Sequence, residues 1–300
     1  MSLVIFPSVP FGPREIDPDF ETEQAAAKRA GFTTALVDHT RLMAGDVAVS
    51  VARVPERAGA AVYRGWVLTP HQYSAMHAVL AARETRLLNS PEAYRTCHYL
   101  PESYPFIAEH TPKSVWFPHE RACELPLETV RAAIAPFGEG PLLVKDYVKS
   151  QKHDWNEACF IPSASDLPAV ERVTLRFLKL QGDDLNEGLV YRAFLPLQIV
   201  GTHPKSGMPL AAEFRIFWLD GQPLLTHRYW GDLSAFDASL PLEELRPIAA
   251  RIPSRFFTMD IAFLEGGGWT IVELGDGQVS GLPAADLALE FYRGLAKGLS

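Results

Sequence analysis

The chain has 300 residues, 47% of them apolar, and a formal net charge of −8, enough to bury one large core or two smaller ones. The pI near 5.6 and the lack of any basic run exclude a nucleic-acid backbone as the main partner. No uninterrupted apolar run is long enough to cross a bilayer, and MSLVIFPSVPFG has no charged region ahead of a long apolar stretch, so a cytoplasmic protein with no membrane partner is expected.

In chain order the first part alternates strand and helix signals: LVIFPSV, then ETEQAAAKRAG closing on Gly31, then TTALVDH and a short segment around DVAVSVARV. GAAVYRGWVLT reads as a strand, and PHQYSAMHAVLAARET as a helix opening on Pro70 and ending before Leu87 and Leu88. This is an open α/β pattern over residues 1–88, with Arg64 at a strand end where such sheets place ligands, a position suited to an acidic acceptor or to a salt bridge. Ser90 caps a helix that starts at Pro91 in LLNSPEAYRTCHYL, and the subdomain boundary is placed near residue 89.

Residues 89–300 are richer in strands. PLLVKDYVKS reads as one strand, which puts Lys145, Tyr147 and Lys149 on one face, with the two ammonium groups roughly 13 Å apart. AVERVTLRFLKLQG is helical, GLVYRAFLPLQIV is a strand, and AEFRIFWLDGQPLLTHRYW is a hairpin turning at Asp220 and Gly221. A two-residue turn there sets Glu213 opposite Arg228 and Arg215 opposite Thr226. LEELRPIAARI and ADLALEFYRGLAKGL are flanking helices.

Between those helices, FFTMDIAFLEGGGWTIVELGDGQ carries one carboxylate on each of two strands, Asp260 and Glu273. A two-residue loop at Gly266 and Gly267 pairs Glu265 with Gly268 and sets the carboxylates opposite each other. A three-residue loop throws them to opposite faces unless a glycine bulge absorbs the extra residue. Directly opposed carboxylates destabilise a strand pair but suit a hard cation such as magnesium. Cys97, Cys123 and Cys159 are far apart and form no CxxC pair, so they read as incidental thiols. With no HExxH, and with His39 and His227 read as hydrogen-bonded structural residues, metal chemistry here must be carboxylate chemistry. Trp66, Trp116 and Trp155 read as packing.

A lysine-bearing strand, a helix, a strand, a hairpin with Glu and Arg and a hairpin ending in D…E together resemble the ATP-grasp superfamily over residues 89–300. VKDYVKSQKHDW and SPEAYR are most similar to the branch named for one arginine and two lysines, a label carried onto Arg95, Lys145 and Lys149. The resemblance implies an α+β ATP-grasp fold with a small N-terminal open α/β subdomain, and two lobes that clasp ATP. It also implies adenine recognition by backbone around Arg192, Ala193 and Phe194, and magnesium held by Asp260 and Glu273. The sequence departs from relatives where Gly275 replaces the usual Asn of Glu-x-Asn, leaving neighbouring Asp276 as a substitute ligand. A second departure is that no glycine-rich loop follows Lys149. Arg215 and Arg228 fit the neutralisation of a transferred phosphoryl group, or a structural pair with Glu213. The function implied is an ATP- and Mg2+-dependent carboxylate-amine ligase, with small-molecule or peptide carboxylate and amine as partners. The alternatives are a small-molecule kinase and a non-catalytic nucleotide-binding module.

Overall fold

A computed structural model describes residues 2–120, 125–202, 209–229 and 239–299; Cys123 lies outside the described residues. In chain order the elements begin with β1 (Leu3–Val9), β2 (Gly12–Ile16), α1 (Glu21–Arg29), β3 (Thr33–Val37), α2 (His39–Met43), α3 (Val47–Ser50), β4 (Gly59–Tyr63), α4 (Pro70–Ala82), β5 (Thr85–Leu87) and α5 (Pro91–His98). There follow α6 (Leu100–Ile107), β6 (Ser114–Pro118), α7 (Leu127–Ile134), β7 (Leu142–Asp146), α8 (Trp155–Ala158), β8 (Phe160–Ile161), α9 (Leu167–Gln181) and β9 (Gly188–Ala193). Last come β10 (Ile199–Thr202), β11 (Pro209–Ala211), β12 (Glu213–Leu219), β13 (Gln222–Arg228), α10 (Leu242–Ala249), β14 (Phe256–Phe263), β15 (Trp269–Asp276) and α11 (Ala288–Gly298). Among the described residues no helix is long and apolar enough to cross a membrane.

The chain forms two compact units: Met1–His98 with Ile199–Ala262 and Glu273–Ser300, and Tyr99–Gln198 with Phe263–Val272. The expected boundary near residue 89 falls just before α5, and the first unit continues to His98. In that unit β1 is central, parallel to β3 on one side and to β4 on the other, with β5 outside β4 and β2 folding back antiparallel. Thr69 forms a capping box with Gln72 ahead of Pro70, and Ser90 Oγ accepts from the Ala93 amide, so both helix starts are set by local sequence. The helix α6 and the short strand β5 have no counterpart in the sequence pattern; Pro101 sits in the first turn of α6, where its missing N–H costs nothing.

Arg64 closes the first unit. It is 1% exposed, and Nε and Nη2 grip the two oxygens of Glu23 at 2.9 Å each, while Nη1 donates to Gly277 O at 2.6 Å and Ser280 O at 2.8 Å. Phe217 and Phe291 lie against the guanidinium at 5.9 and 5.1 Å. The acceptor-binding reading of Arg64 therefore fails: its donors are spent inside the fold. Burial disfavours its charge, but Glu23 outweighs burial and raises its pKa.

The second unit has the antiparallel sheet β6-β9-β7-β8. The alternation of β7 turns Leu142, Val144 and Asp146 inward and leaves Leu143 and Lys145 half-buried on the other face. Val170, Val173 and Phe177 of α9 pack with Leu142, Val144 and Tyr191 in one core.

Arg64→Ala is expected to cost about 3–5 kcal/mol in denaturant unfolding, because Glu23 is left with its countercharge removed. A loss under about 1 kcal/mol would contradict the anchoring role.

Candidate functional site

Asp220 and Gly221 take positive φ values of 49° and 74°, and Leu219 pairs with Gln222 across them, the mark of a tight two-residue hairpin. Trp218 pairs with Pro223, but Phe217 pairs with Leu225, so Leu224 is an extra residue in β13. The expected pairing is consequently wrong by one. Arg215 faces His227, Phe214 faces Arg228, and the Tyr229 amide donates to Glu213 O at 2.8 Å. Arg228 lies on the face opposite Arg215, 6.0 Å from the Phe214 ring. Tyr229 takes its place, its ring 4.8 Å from the Arg215 guanidinium. Reading the sequence misses Tyr229 because period-two counting from the turn cannot see a bulge.

On its other side β12 pairs with β14, and Arg215 lies directly opposite Asp260. The guanidinium donates through Nε and Nη2 to the two carboxylate oxygens at 2.8 and 2.6 Å, and Nη1 reaches Gly281 O at 3.1 Å. Asp260 is 1% exposed. Burial opposes the charge of Arg215, but the bond and charge of Asp260, with Tyr229 and Glu273, raise its pKa. The Tyr229 phenol is pushed up by burial first, then by Asp260, Glu273 and Glu213, against the opposing pull of Arg215.

The β14–β15 loop is longer than the two-residue turn expected. The Leu264 amide donates to Gly268 O and the Gly267 amide to Leu264 O, both at 2.9 Å, which leaves Glu265, Gly266 and Gly267 in the loop. At the base of the hairpin the Gly277 amide donates to Phe256 O at 3.1 Å. Counting back from that pair sets Asp260 opposite Glu273, so the register shifts by one between turn and base. The extra residue is absorbed, and both carboxylates share the face that carries Arg215.

Asp276 is apart from them. Its parity is opposite to that of Glu273, it is fully buried, and it accepts from Asn89 Nδ2 at 2.6 Å and from the Gln278 amide at 2.9 Å. Burial pushes its carboxyl up to about 6, against the pull of those hydrogen bonds. Gly275 is also explained. A Cβ there would stand 2.6 Å from both Thr258 Oγ1 and Ser280 Oγ, which bond to each other at 2.9 Å, so the Asn expected at this position has no room. Among the described residues no group of three or more His, Cys, Asp or Glu gathers around a point.

In the second unit the structure corrects the lysine strand. The strand β7 ends at Asp146, whose buried carboxylate accepts from the amides of Val148 and Asn186 at 2.6 and 3.1 Å, and from Gln181 Nε2 at 2.7 Å. It also caps the Lys149 amide, while the Asp146 amide donates to Lys149 O. This turn removes Lys149 from the strand, so the expected spacing of the two lysines along one face does not hold. Lys145 stays on β7, half-buried, its Nζ donating to Asp146 O at 3.0 Å; Lys149 is exposed on the turn. Arg192 is buried on β9, with Nη2 on Thr111 Oγ1 at 2.9 Å and Val272 O at 2.7 Å. The amides of Ala193 and Phe194 donate to Lys113 O and Pro141 O, so they are committed within the unit. Trp155, Phe160 and Phe194 form an aromatic group, with Trp155 stacked on Phe160 at 5.6 Å. Arg95 lies half-buried on α5 of the first unit.

Residues 136–295, more than half of the chain, match the model of an ATP-grasp domain, family 3 of the clade named for one arginine and two lysines. The chain belongs to the ATP-grasp superfamily. Solved ATP-grasp structures agree in fold. The chain is similar to an ATP-grasp RimK-domain protein from Sphaerobacter thermophilus DSM 20745, at 12% identity and TM-score 0.58, covering 99% of this chain and 98% of that one. D-cycloserine synthetase DcsG is 17% identical with TM-score 0.58 over 100% of both chains. The ATP-grasp ligase PsnB, solved with a precursor peptide and AMPPNP, is 14% identical with TM-score 0.56, covering 99% of this chain and 95% of that one. No curated protein sequence matches the chain. The α+β ATP-grasp architecture expected from the sequence is thereby established, and at these identities the solved structures speak for the fold alone.

The raised pKa of Asp276 gives a pH signature. A carboxyl that binds its proton more tightly when folded stabilises the protein at low pH, and this contribution falls away as pH rises from about 4 through about 6. Asp276→Asn is expected to remove that component, so the stability difference between wild type and variant slopes by up to about 1.4 kcal/mol per pH unit inside the window. Urea titrations at a series of pH values measure it. A flat difference curve would contradict the buried, proton-retaining state.

Proposed function

We propose that the protein is an ATP- and Mg2+-dependent carboxylate-amine ligase that works through an acyl phosphate. The observation that carries this reading is the forked grip of Arg215 on Asp260, with Glu273 and Tyr229 on the same face. A cation already sits where two carboxylates meet. Two hard oxygen ligands, with no third carboxylate, imidazole or thiolate gathered beside them among the described residues, fit magnesium, which keeps several waters and phosphate oxygens in its shell. Asp260 and Glu273 are the residues that would hold it, and the ion would supply charge neutralisation at the phosphate oxygens. Asp276 is proposed instead as a buried support of β15.

Arg215 released from Asp260 has a planar, five-donor guanidinium suited to the oxygens of a transferred phosphoryl group or an acyl phosphate. Tyr229, stacked beneath it, keeps the side chain on that face. We keep the phosphoryl-binding role for Arg215 alone, because Arg228 lies on the other side of the sheet. Lys145 and Lys149 are assigned to nucleotide phosphates, with Asp146 shaping the turn that presents Lys149. Arg95 takes the arginine role of the clade, and the strand end around Arg192, Ala193 and Phe194 is the adenine side. Support for ligation comes from the family and from the chemistry named for PsnB and DcsG, a ligase and a synthetase.

Incubation with ATP, magnesium and panels of acids and amines is expected to release ADP and inorganic phosphate only when acid and amine are both present. A stable phosphorylated product with no need for an amine would make the protein a kinase instead. Glu273→Gln is expected to abolish magnesium-dependent turnover while leaving metal-free stability unchanged or raised, since the neutral amide relieves repulsion with Asp260. Metal-free unfolding of wild type and variant checks the second half, and a destabilisation of about 3–5 kcal/mol would contradict the ligand role.

A further inference from the structure

The carboxyl edge of the N-terminal sheet holds unsatisfied polar groups that are not part of the Asp260 face. Ser8 is fully buried at the point where β1 stops pairing with β3, at Pro7 and Val37, and starts pairing with Ile16 of β2. Its Oγ has no hydrogen-bond partner. The same is true of the buried Nδ1 of His39, which opens α2 directly beyond β3. An unsatisfied buried polar atom costs about 1–3 kcal/mol, so two at adjacent strand ends call for a polar guest. Ligands of open α/β sheets bind outside the carboxyl ends of the strands, where successive strands depart to opposite sides of the first, as β3 and β4 do from β1.

Two carboxylates and two aromatic rings surround this edge. Asp17 follows Ile16 and accepts from Trp66 Nε1 at 2.9 Å, and Asp38 caps α2 through the Arg41 amide at 3.0 Å. Both lie close enough to His39 to favour its charge, yet burial dominates and lowers its pKa, so the imidazole is neutral at neutral pH. Among the described residues that form this edge no ion pair reaches the two carboxylates, since Arg41 faces Asp46 at 3.6 Å and the nearby Arg64 is committed to Glu23. Trp66 is 40% exposed and Phe11 is 90% exposed. Phe11 is held over α2 by its amide, which donates to Thr40 Oγ1 at 3.3 Å. Its φ of 61° is a strained value for an aromatic residue. A turn that follows Pro10 and needs positive φ ordinarily takes glycine; a strained, solvent-facing phenylalanine is adverse to stability twice over.

We propose that this edge binds a primary ammonium group carried on an apolar or aromatic body, with Asp17 and Asp38 around the charge, Ser8 and His39 meeting its polar neighbours, and Phe11 and Trp66 covering the body. Aromatic faces and carboxylates together select such a cation over a neutral or acidic ligand. Only the identification of this guest as the amine substrate rests on the ligase reading; the binding itself does not.

The test uses the full chain without nucleotide and phenethylammonium as probe, with 2-phenylethanol as its uncharged counterpart, by isothermal titration calorimetry. Phenethylammonium is expected to bind at least about tenfold more tightly than the alcohol. The double variant Asp17→Asn, Asp38→Asn should lose that preference and stay folded, because asparagine still caps α2 at position 38 and at position 17 keeps one of the two bonds that Asp17 accepts, from Trp66 Nε1 and from the Asp19 amide. Phe11→Gly should raise Tm by a few degrees and weaken phenethylammonium binding. Equal affinity for amine and alcohol, no binding, or unchanged preference in the double variant would overturn the proposal, and so would a Phe11→Gly protein that binds the amine undiminished. If the probe binds as expected but no acid and amine pair yields ADP, the site stands and the ligase reading falls.

Discussion

A carboxylate in the middle of a sheet has to be paired, and the face proposed to be functional follows from how Asp260 meets that requirement. At 1% exposure, opposite Arg215 on β12, its oxygens are out of reach of water and need donors from the protein. Arg215 supplies two in short bonds, and the tightness of that grip is why the pair is informative. A buried ion pair of this kind contributes little net stability over an apolar pair, so stability alone does not account for it. Under the proposed function the guanidinium holds the place that the ion would take, and the two can exchange only if Arg215 has other oxygens to move to.

The segment that follows β15 ties this face to the N-terminal sheet. Ser280 gives its carbonyl to Arg64 and neighbouring Gly281 gives its carbonyl to Arg215, while the Ser280 hydroxyl is bonded to Thr258. Two arginines therefore hold consecutive residues of one segment. Loss of the Glu23–Arg64 pair would loosen the strap that holds Arg215, which links a residue of α1 to the proposed site through named bonds.

Local signals in the sequence are sufficient for much of the architecture. Thr69 and Pro70, Ser90 and Pro91, Asp220 and Gly221, and the run of glycines before Trp269 each impose a cap or a turn through chemistry confined to a few residues. The face shared by Asp260 and Glu273 is legible too, although its loop has three residues and a bulge restores the register. What cannot be read depends on distant partners. The strand β7 stops at Asp146 because Gln181 and Asn186 bind its carboxylate, and Arg64 is spent on Glu23, Gly277 and Ser280, far away in sequence. The single extra residue Leu224, against which Gly294 of α11 is packed closely, turns Arg228 away from the face that counting assigns to it. The departure at Gly275 is visible as a missing Asn, but its cause, the Thr258 and Ser280 hydroxyls, appears only in three dimensions.

If an ion and Arg215 compete for Asp260, the most direct measurement of that competition is a crystal structure of the protein with a non-hydrolysable ATP analogue and Mn2+, with the ion located by its anomalous signal. The expected result is a peak bridged by Asp260 and Glu273, with the Arg215 guanidinium turned from the carboxylate onto phosphate oxygens. A peak elsewhere, or Arg215 still clasping both oxygens of Asp260 in the loaded protein, would contradict the exchange.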